Sequence, residues 1–228
     1  MRSQSVLTFA VSLATSALFL EFEAGAAVGA TDGWTLSSNG AGIQLYSRPR
    51  SGSPLKEFKA VGEIDASARA VHNVIDDIAA YPSFMPFTTE CRLIKRDADS
   101  ILTYQRLSPK ICTDRDYTLR VRETSWAGQY GITYLNRWEP ANEFGPAEKK
   151  GVIRVKVCEG EWLLEPEDAG KTRATYVVFT DNGGAIPAFI ANRASQMGIS
   201  RLFVAVRKQV KDLKYNADTA RPLASENR

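Results

Sequence analysis

The stretch CTDRDY, Cys112 to Tyr117, sets two aspartates around an arginine between runs that read as strands. Such a triplet suits three chemistries: a divalent metal cage, a general acid/base pair, or a structural ion pair. Carboxylates two residues apart on a strand share one face. With no third acidic partner nearby they make a poor divalent cage, since Ca²⁺ takes six to eight oxygens. Acid/base work needs a pocket and a displaced pKa, which spacing alone does not supply. A structural ion pair of Asp114, Arg115 and Asp116 at the strand start is therefore the expectation. If Asp116 opens the strand, Tyr117, Leu119 and Val121 share one face, and Thr118, Arg120 and Arg122 the other.

The remaining inventory narrows the chemistry further. His72 is the only histidine, so any Ser-His or Cys-His centre would have to use it, and no nucleophile motif accompanies it. Its place among apolar positions of a helical pattern points to packing. Cys91, Cys112 and Cys158 are widely spaced and form no CxxC, so a zinc site is excluded by inventory and small buried side chains are expected. Asn182-Gly183-Gly184 lies between a strand and a helix, where a phosphate loop would sit, but GxxxxGK and GxGxxG are absent. A sharp turn with positive φ is the simpler reading, with Pro187 opening the helix. No cofactor is implied.

These residues must be positioned by a single domain. The chain has 228 residues, 44% hydrophobic and 24% charged, with a formal charge of +3. That balance fits a packed core and lacks the basic density of a nucleic-acid binder. The apolar run from Val6 to Leu20, followed by Ala24-Gly25-Ala26 and Val28-Gly29-Ala30, reads as a secretory signal over residues 1–30. Its cleavage removes Arg2, Glu21 and Glu23 and raises the formal charge to +4. An uncleaved anchor is the alternative. Export to a periplasm or the medium is expected. Residues 31–215 then form the domain, and 216–228 a polar tail.

Within the domain, GIQLYSR and LKEFKAVGEI read as strands joined by PRSGSP. A helix follows from Ser67, a good N-cap, and ends at Pro82. RLIKRD, SILTYQRLS, DYTLRVRETSW, YGITYLNRWE, GVIRVKVCEGEWLLEP and TRATYVVFTD then form an antiparallel meander of six strands. AFIANRASQMGISRLFVAVRKQVKDLK predicts a long amphipathic helix of about 25 residues. Arg193, Arg201, Arg207, Lys208, Lys211 and Lys214 give it a basic outer face. That face is either simply solvated or docks on anionic lipid head groups. The order is α+β with segregated elements, one helix lying across a curved sheet.

TDRDY after a strand ending RLSPK, then CEGEWLLEP, then TDNGGAIPAFIANRAS resembles the START domain, the lipid-transfer domain related to the steroidogenic acute regulatory protein. Asp114, Arg115, Asp116 and Tyr117 match its D-R-D-[FY] signature. Gly183, Gly184, Ile186 and Pro187 match its glycine-proline step before the last helix. The resemblance runs from about Trp34 to Leu213. It implies a helix-grip fold, a curved antiparallel sheet gripping the C-terminal helix around an apolar tunnel that holds one lipid. A monomer that carries a sterol, phospholipid or fatty acid is expected, with no nucleic-acid partner and transient membrane contact through the basic helix. The wider superfamily includes polyketide cyclases and aromatases, so an enzyme on the same fold is the alternative. Mapped onto this chain, the expected ligand contacts are Tyr104, Tyr117, Tyr134, Trp138, Trp162, Phe179, Ile190, Ala194 and Met197, with Arg106 or Arg137 as the charged contact. For each of these residues, ordinary core packing is the competing reading.

Overall fold

The computed structural model describes residues 33–109, 112–184 and 186–216. The expected signal segment and nearly all of the expected tail lie outside them. Ten strands form one sheet: β1 (Thr35–Gly40), β2 (Ile43–Arg50), β3 (Ser53–Ile64), β4 (Thr88–Arg96), β5 (Ser100–Leu107), β6 (Asp114–Gly128), β7 (Gly131–Pro140), β8 (Val152–Arg154), β9 (Val157–Asp168) and β10 (Lys171–Asp181). The helices are α1 (Ala68–Asp76), α2 (Tyr81–Phe84) and α3 (Ala188–Gln209). The sheet order is β1-β2-β3-β10-β9-β7-β6-β5-β4, so β3 and β10 join the two ends of the chain. The sheet stays open between β1 and β4, and α1 and α3 cover one face. This is the helix-grip arrangement.

β1 escapes prediction because TLSSNG is polar and exposed throughout. It is held by a two-residue hairpin at Ala41 and Gly42, both with positive φ (53° and 67°), the geometry that matches strand twist. Arg207 reaches across from α3 and donates to the carbonyls of Ala41 (2.6 Å), Gly42 (2.8 Å) and Glu63 (2.9 Å). It therefore staples the helix to this hairpin instead of belonging to a solvated face.

Ser67 caps α1 as expected, its Oγ accepting from the Ala70 N–H at 3.2 Å. The helix stops at Asp76, before Pro82. Asp77 leaves helical geometry (ψ 63°), and its carboxylate takes bonds from Lys214 Nζ (2.9 Å) and the Tyr215 hydroxyl (3.0 Å). Pro82 instead lies in the first turn of α2, where its missing N–H costs nothing. The predicted strand over GVIRVKVCEGEWLLEP is also broken. β8 runs parallel to the start of β6, then Val155 N–H bonds to the Asp116 carbonyl at 2.9 Å and the chain turns into β9.

Apolar side chains from α1, α3 and strands β2, β3, β9 and β10 form the main core. Phe203 and Val206 of α3 are fully buried, and the Phe203 ring lies 5.2 Å from that of Trp162. Burying each such side chain contributes about 1.5–3 kcal/mol. A second, smaller cluster comprises Tyr117, Leu119, Val155 and Cys158. Trp138 packs against both clusters.

Candidate functional site

Pairing register decides which side chains face the helices. On that face Cys91 pairs with Gln105 and Gln105 with Tyr117. Val121 pairs with Trp138, and Trp138 with Gly160. Tyr134 pairs with Leu164, and Trp162 with Tyr176. These positions lie on the stretch of the helix-covered face where the two clusters meet. The Tyr176 ring lies 5.6 Å from Trp138 and 4.6 Å from Trp162. Trp138 can lie there only because position 160 is glycine. A Cβ at Gly160 would collide with the Val177 carbonyl and with the indole.

Burial pushes the hydroxyl pKa values of Tyr81, Tyr117 and Tyr176 well up. It also pushes the thiols of Cys91 and Cys158 up to about 12 and about 11. Yet Tyr81, Trp138, Tyr176 and Cys91 keep part of their surface accessible. Groups that neighbouring protein desolvates while part of their surface stays accessible are where a ligand would find a partly apolar surface. The packed core is not reachable and the outer surface is not desolvated. Tyr81 spends its hydroxyl on the Ile75 carbonyl at 2.6 Å. The hydroxyls of Tyr117 and Tyr176 make no hydrogen bond to the described residues. This part of the helix-covered face thus offers aromatic surface and two neutral O–H donors, and its thiols stay protonated and non-nucleophilic at neutral pH.

Of the residues expected to touch a ligand, Tyr117, Tyr134, Trp138 and Trp162 lie on the helix-covered face. Four others lie on the opposite face. Tyr104 pairs with Thr118, one step out of phase with Tyr117. It is fully buried there, and its hydroxyl donates to Asp116 Oδ2 at 3.0 Å. Arg106 bonds Asp114 Oδ2 through Nη2 (2.6 Å) and Nε (3.0 Å). Arg137 pairs with Glu161 at 2.8 Å on the exposed surface. Phe179, three residues beyond inward-facing Tyr176 with no bulge between, lies under the Arg50 guanidinium at 4.5 Å. On α3, Ile190, Ala194 and Met197 face solvent, and the buried stripe is Ala191, Ile199, Phe203 and Val206. Apolar residues occur on both sides of this helix, so a period of 3.6 fits either stripe. Tyr81 and Tyr176 escaped the sequence reading, which took Cys91 and Cys158 as small buried side chains; Cys158 is buried and Cys91 half-buried. The parity of Ala174, Tyr176 and Val178 along β10 was the signal for Tyr176.

The Asp114-Arg115-Asp116 triplet is not one mutual ion pair. Strand alternation sends Arg115 to the face opposite its neighbours. Asp116, 1% exposed, accepts from Arg154 Nε (2.7 Å) and Nη2 (3.1 Å). Asp114 is held below the usual carboxylate range by hydrogen bonds from Ser108 and Arg106. Arg115 donates to Cys112 Sγ (3.0 Å) and to the Thr113 carbonyl. Glu159 pairs with Arg50 at 2.5 Å. His72 stacks on Tyr134 with ring centroids 4.3 Å apart. Its Nε2 lies 3.0 Å from Glu123 Oε1 without being aimed at it as a hydrogen bond. Among the described residues no group of three His, Cys, Asp or Glu side chains could hold a metal ion.

A family model described as polyketide cyclase / dehydrase and lipid transport matches residues 64–203. An uncharacterized protein of Pseudomonas aeruginosa is 30% identical over 160 residues, covering 70% of this chain and 77% of its own. Mouse phosphatidylcholine transfer protein is 25% identical over 169 residues, covering 73% and 78%. A solved fragment of the STAR-related lipid transfer protein from Xanthomonas axonopodis superposes with a TM-score of 0.70 at 27% identity. It is matched over its whole length and over 79% of this chain. The chain belongs to the polyketide cyclase / dehydrase and lipid transport family and has the helix-grip fold of its START-domain members.

Proposed function

We propose that the protein binds a hydrophobic lipid in an internal space where the two apolar clusters meet and carries it between membranes. The observation that carries this reading is the part-exposed aromatic cluster of Tyr81, Trp138 and Tyr176, with Tyr176 5.6 Å from Trp138 and the Tyr81 and Tyr176 hydroxyls desolvated by burial. Burial of ligand chains against these rings contributes about 25 cal/mol per Å² before the costs of binding. The lipid-transfer relatives support the same reading. Native mass spectrometry of the purified chain, with extraction of what co-purifies, is the direct test. A lipid bound at unit stoichiometry is expected. A chain that neither retains nor takes up any sterol, phospholipid or fatty acid would sink the proposal.

A cyclase on the same fold needs an acid or base facing the space. The carboxylates of Asp114, Asp116 and Glu159 are each paired with an arginine. The family description alone keeps this second reading alive.

Release and uptake require a membrane surface, and α3 supplies one. It carries Arg193, Arg201 and Lys208 on its exposed side, with no acidic residue from Ala188 to Gln209. Phe189, Ile190, Met197 and Val204 are exposed among these cations. A groove of about 500 Å³ runs between α3 and the loop containing Phe87, where Arg201 lies 5.4 Å over the Phe87 ring. This surface suits the interface of an anionic bilayer. Reversing charge at Arg201→Glu and Lys208→Glu should weaken binding to phosphatidylglycerol vesicles about 30-fold or more, from about 1 kcal/mol per basic residue. Vesicle co-sedimentation measures this, and added salt should weaken the wild type in the same direction. Equal binding of the double variant would discard the docking face. The apolar run at residues 6–20 supports export of the chain to a compartment facing such membranes.

A further inference from the structure

The helix-covered face of β6 changes character along its length. Val121, Leu119 and Tyr117 are apolar or aromatic, and the next position on that face is Arg115, 4% exposed. Ile153 of β8 sits opposite Arg115. The Gly183–Gly184 turn that leads into α3 presses on Ile153, close enough that a Cβ at either glycine would lie 3.1 Å from it. Arg115 thus sits at the end of the aromatic wall, beside the turn that leads into the gripping helix.

The charge of Arg115 is not answered nearby. Its partners are the Cys112 thiol and the Thr113 carbonyl. Its neighbours Asp114 and Asp116 point to the other face, where Arg106 and Arg154 take them up. Among the described residues no carboxylate lies within ion-pair distance of Arg115. A guanidinium has five donors in a planar fork that matches phosphate or carboxylate, and a buried one without a counter-ion is costly. An anion delivered by a ligand would remove that cost.

We infer that Arg115 is the subsite for the anionic head, phosphate or carboxylate, of the bound lipid, whose chains run from it along Tyr117 toward Trp138 and Tyr176. This rests on the lipid-binding reading above and names the ligand's polar class.

The test uses the full chain stripped of lipid and titrated with dipalmitoyl phosphatidic acid, dipalmitoylglycerol and palmitic acid. Wild type should prefer phosphatidic acid over the diacylglycerol about tenfold or more, the worth of a charge-assisted hydrogen bond. Arg115→Met should erase that preference, and Arg115→Lys should keep part of it. If the Met variant does not fold, the Lys variant decides, through a drop in affinity for phosphatidic acid alone. A palmitate affinity that follows Arg115 in the same way would mean that charge, not phosphate geometry, is read. Equal affinity of wild type for phosphatidic acid and diacylglycerol overturns this inference and leaves lipid binding standing. So does a preference untouched in both variants. Binding of none of the three overturns both.

Discussion

Asp116→Ala should destabilise the fold by about 3–5 kcal/mol, the cost of removing one partner of a buried ion pair. The carboxylate takes two bonds from Arg154 and one from Tyr104. Without it, the Arg154 guanidinium, with 8% of its side chain exposed, keeps only the Pro146 carbonyl at 2.9 Å. The Tyr104 hydroxyl, already pushed up to about 12 by burial and by its bond to Asp116, loses its only acceptor among the described residues. Urea denaturation reads the loss as a lower midpoint at unchanged slope. The double variant Asp116→Leu with Arg154→Met should recover much of it, because no charge is then stranded. Tyr104→Phe alone should cost about 1.5–3 kcal/mol, since it removes a bond to a charged group. A loss below about 1 kcal/mol for Asp116→Ala would mean that water reaches this network and that it does not fix the start of β6.

Cys91→Trp should expel the lipid while leaving the protein folded. Cys91 is on edge strand β4, on the helix-covered face, with its thiol desolvated but part of its surface accessible, where the proposed lipid would lie. An indole there would occupy volume that ligand chains use. Displacing even three methylenes costs about 2.4 kcal/mol, about 50-fold in affinity. If the region is instead filled with protein, the same substitution overpacks it and costs about 1–3 kcal/mol of stability with lipid content unchanged. Lipid per protein by native mass spectrometry and thermal midpoint, measured on one sample, separate the two outcomes. Loss of stability with full lipid retention would remove the internal space from the account.

Most of the architecture was legible along the chain. Ser67 before an apolar stripe of period 3.6 marked α1, and alternation with turn residues marked β4 to β7, β9 and β10, while β8 was run together with β9. Gly183 and Gly184 adopt the positive φ (64° and 76°) that a strand-to-helix turn requires. The failures have physical causes. β1 is polar because an edge strand needs only backbone partners, so nothing in its side chains announces it. The end of α1 was set by Lys214 and Tyr215, which lie far along the chain from Asp77.

The site was only half legible. Along β6, alternation alone put Tyr117, Leu119 and Val121 on one face, and the register agrees. Between strands the phase has to be fixed by pairing, because a strand that is apolar on both faces carries no mark of which is inside. Tyr104 in SILTYQRL and Phe179 in TRATYVVFTD sit in such strands and fell on the far side. Local patterns therefore determined the elements, their order and the DRDY and NGGAIP steps that carry the family likeness. Tertiary structure alone decided which aromatic residues lie on the helix-covered face. It also gave each aspartate of the triplet an arginine from another strand and left Arg115 on the helix-covered face with no carboxylate beside it among the described residues. Those outcomes depend on cross-strand register and on partners such as Arg154, tens of residues away in the chain, which residue spacing along one strand does not encode.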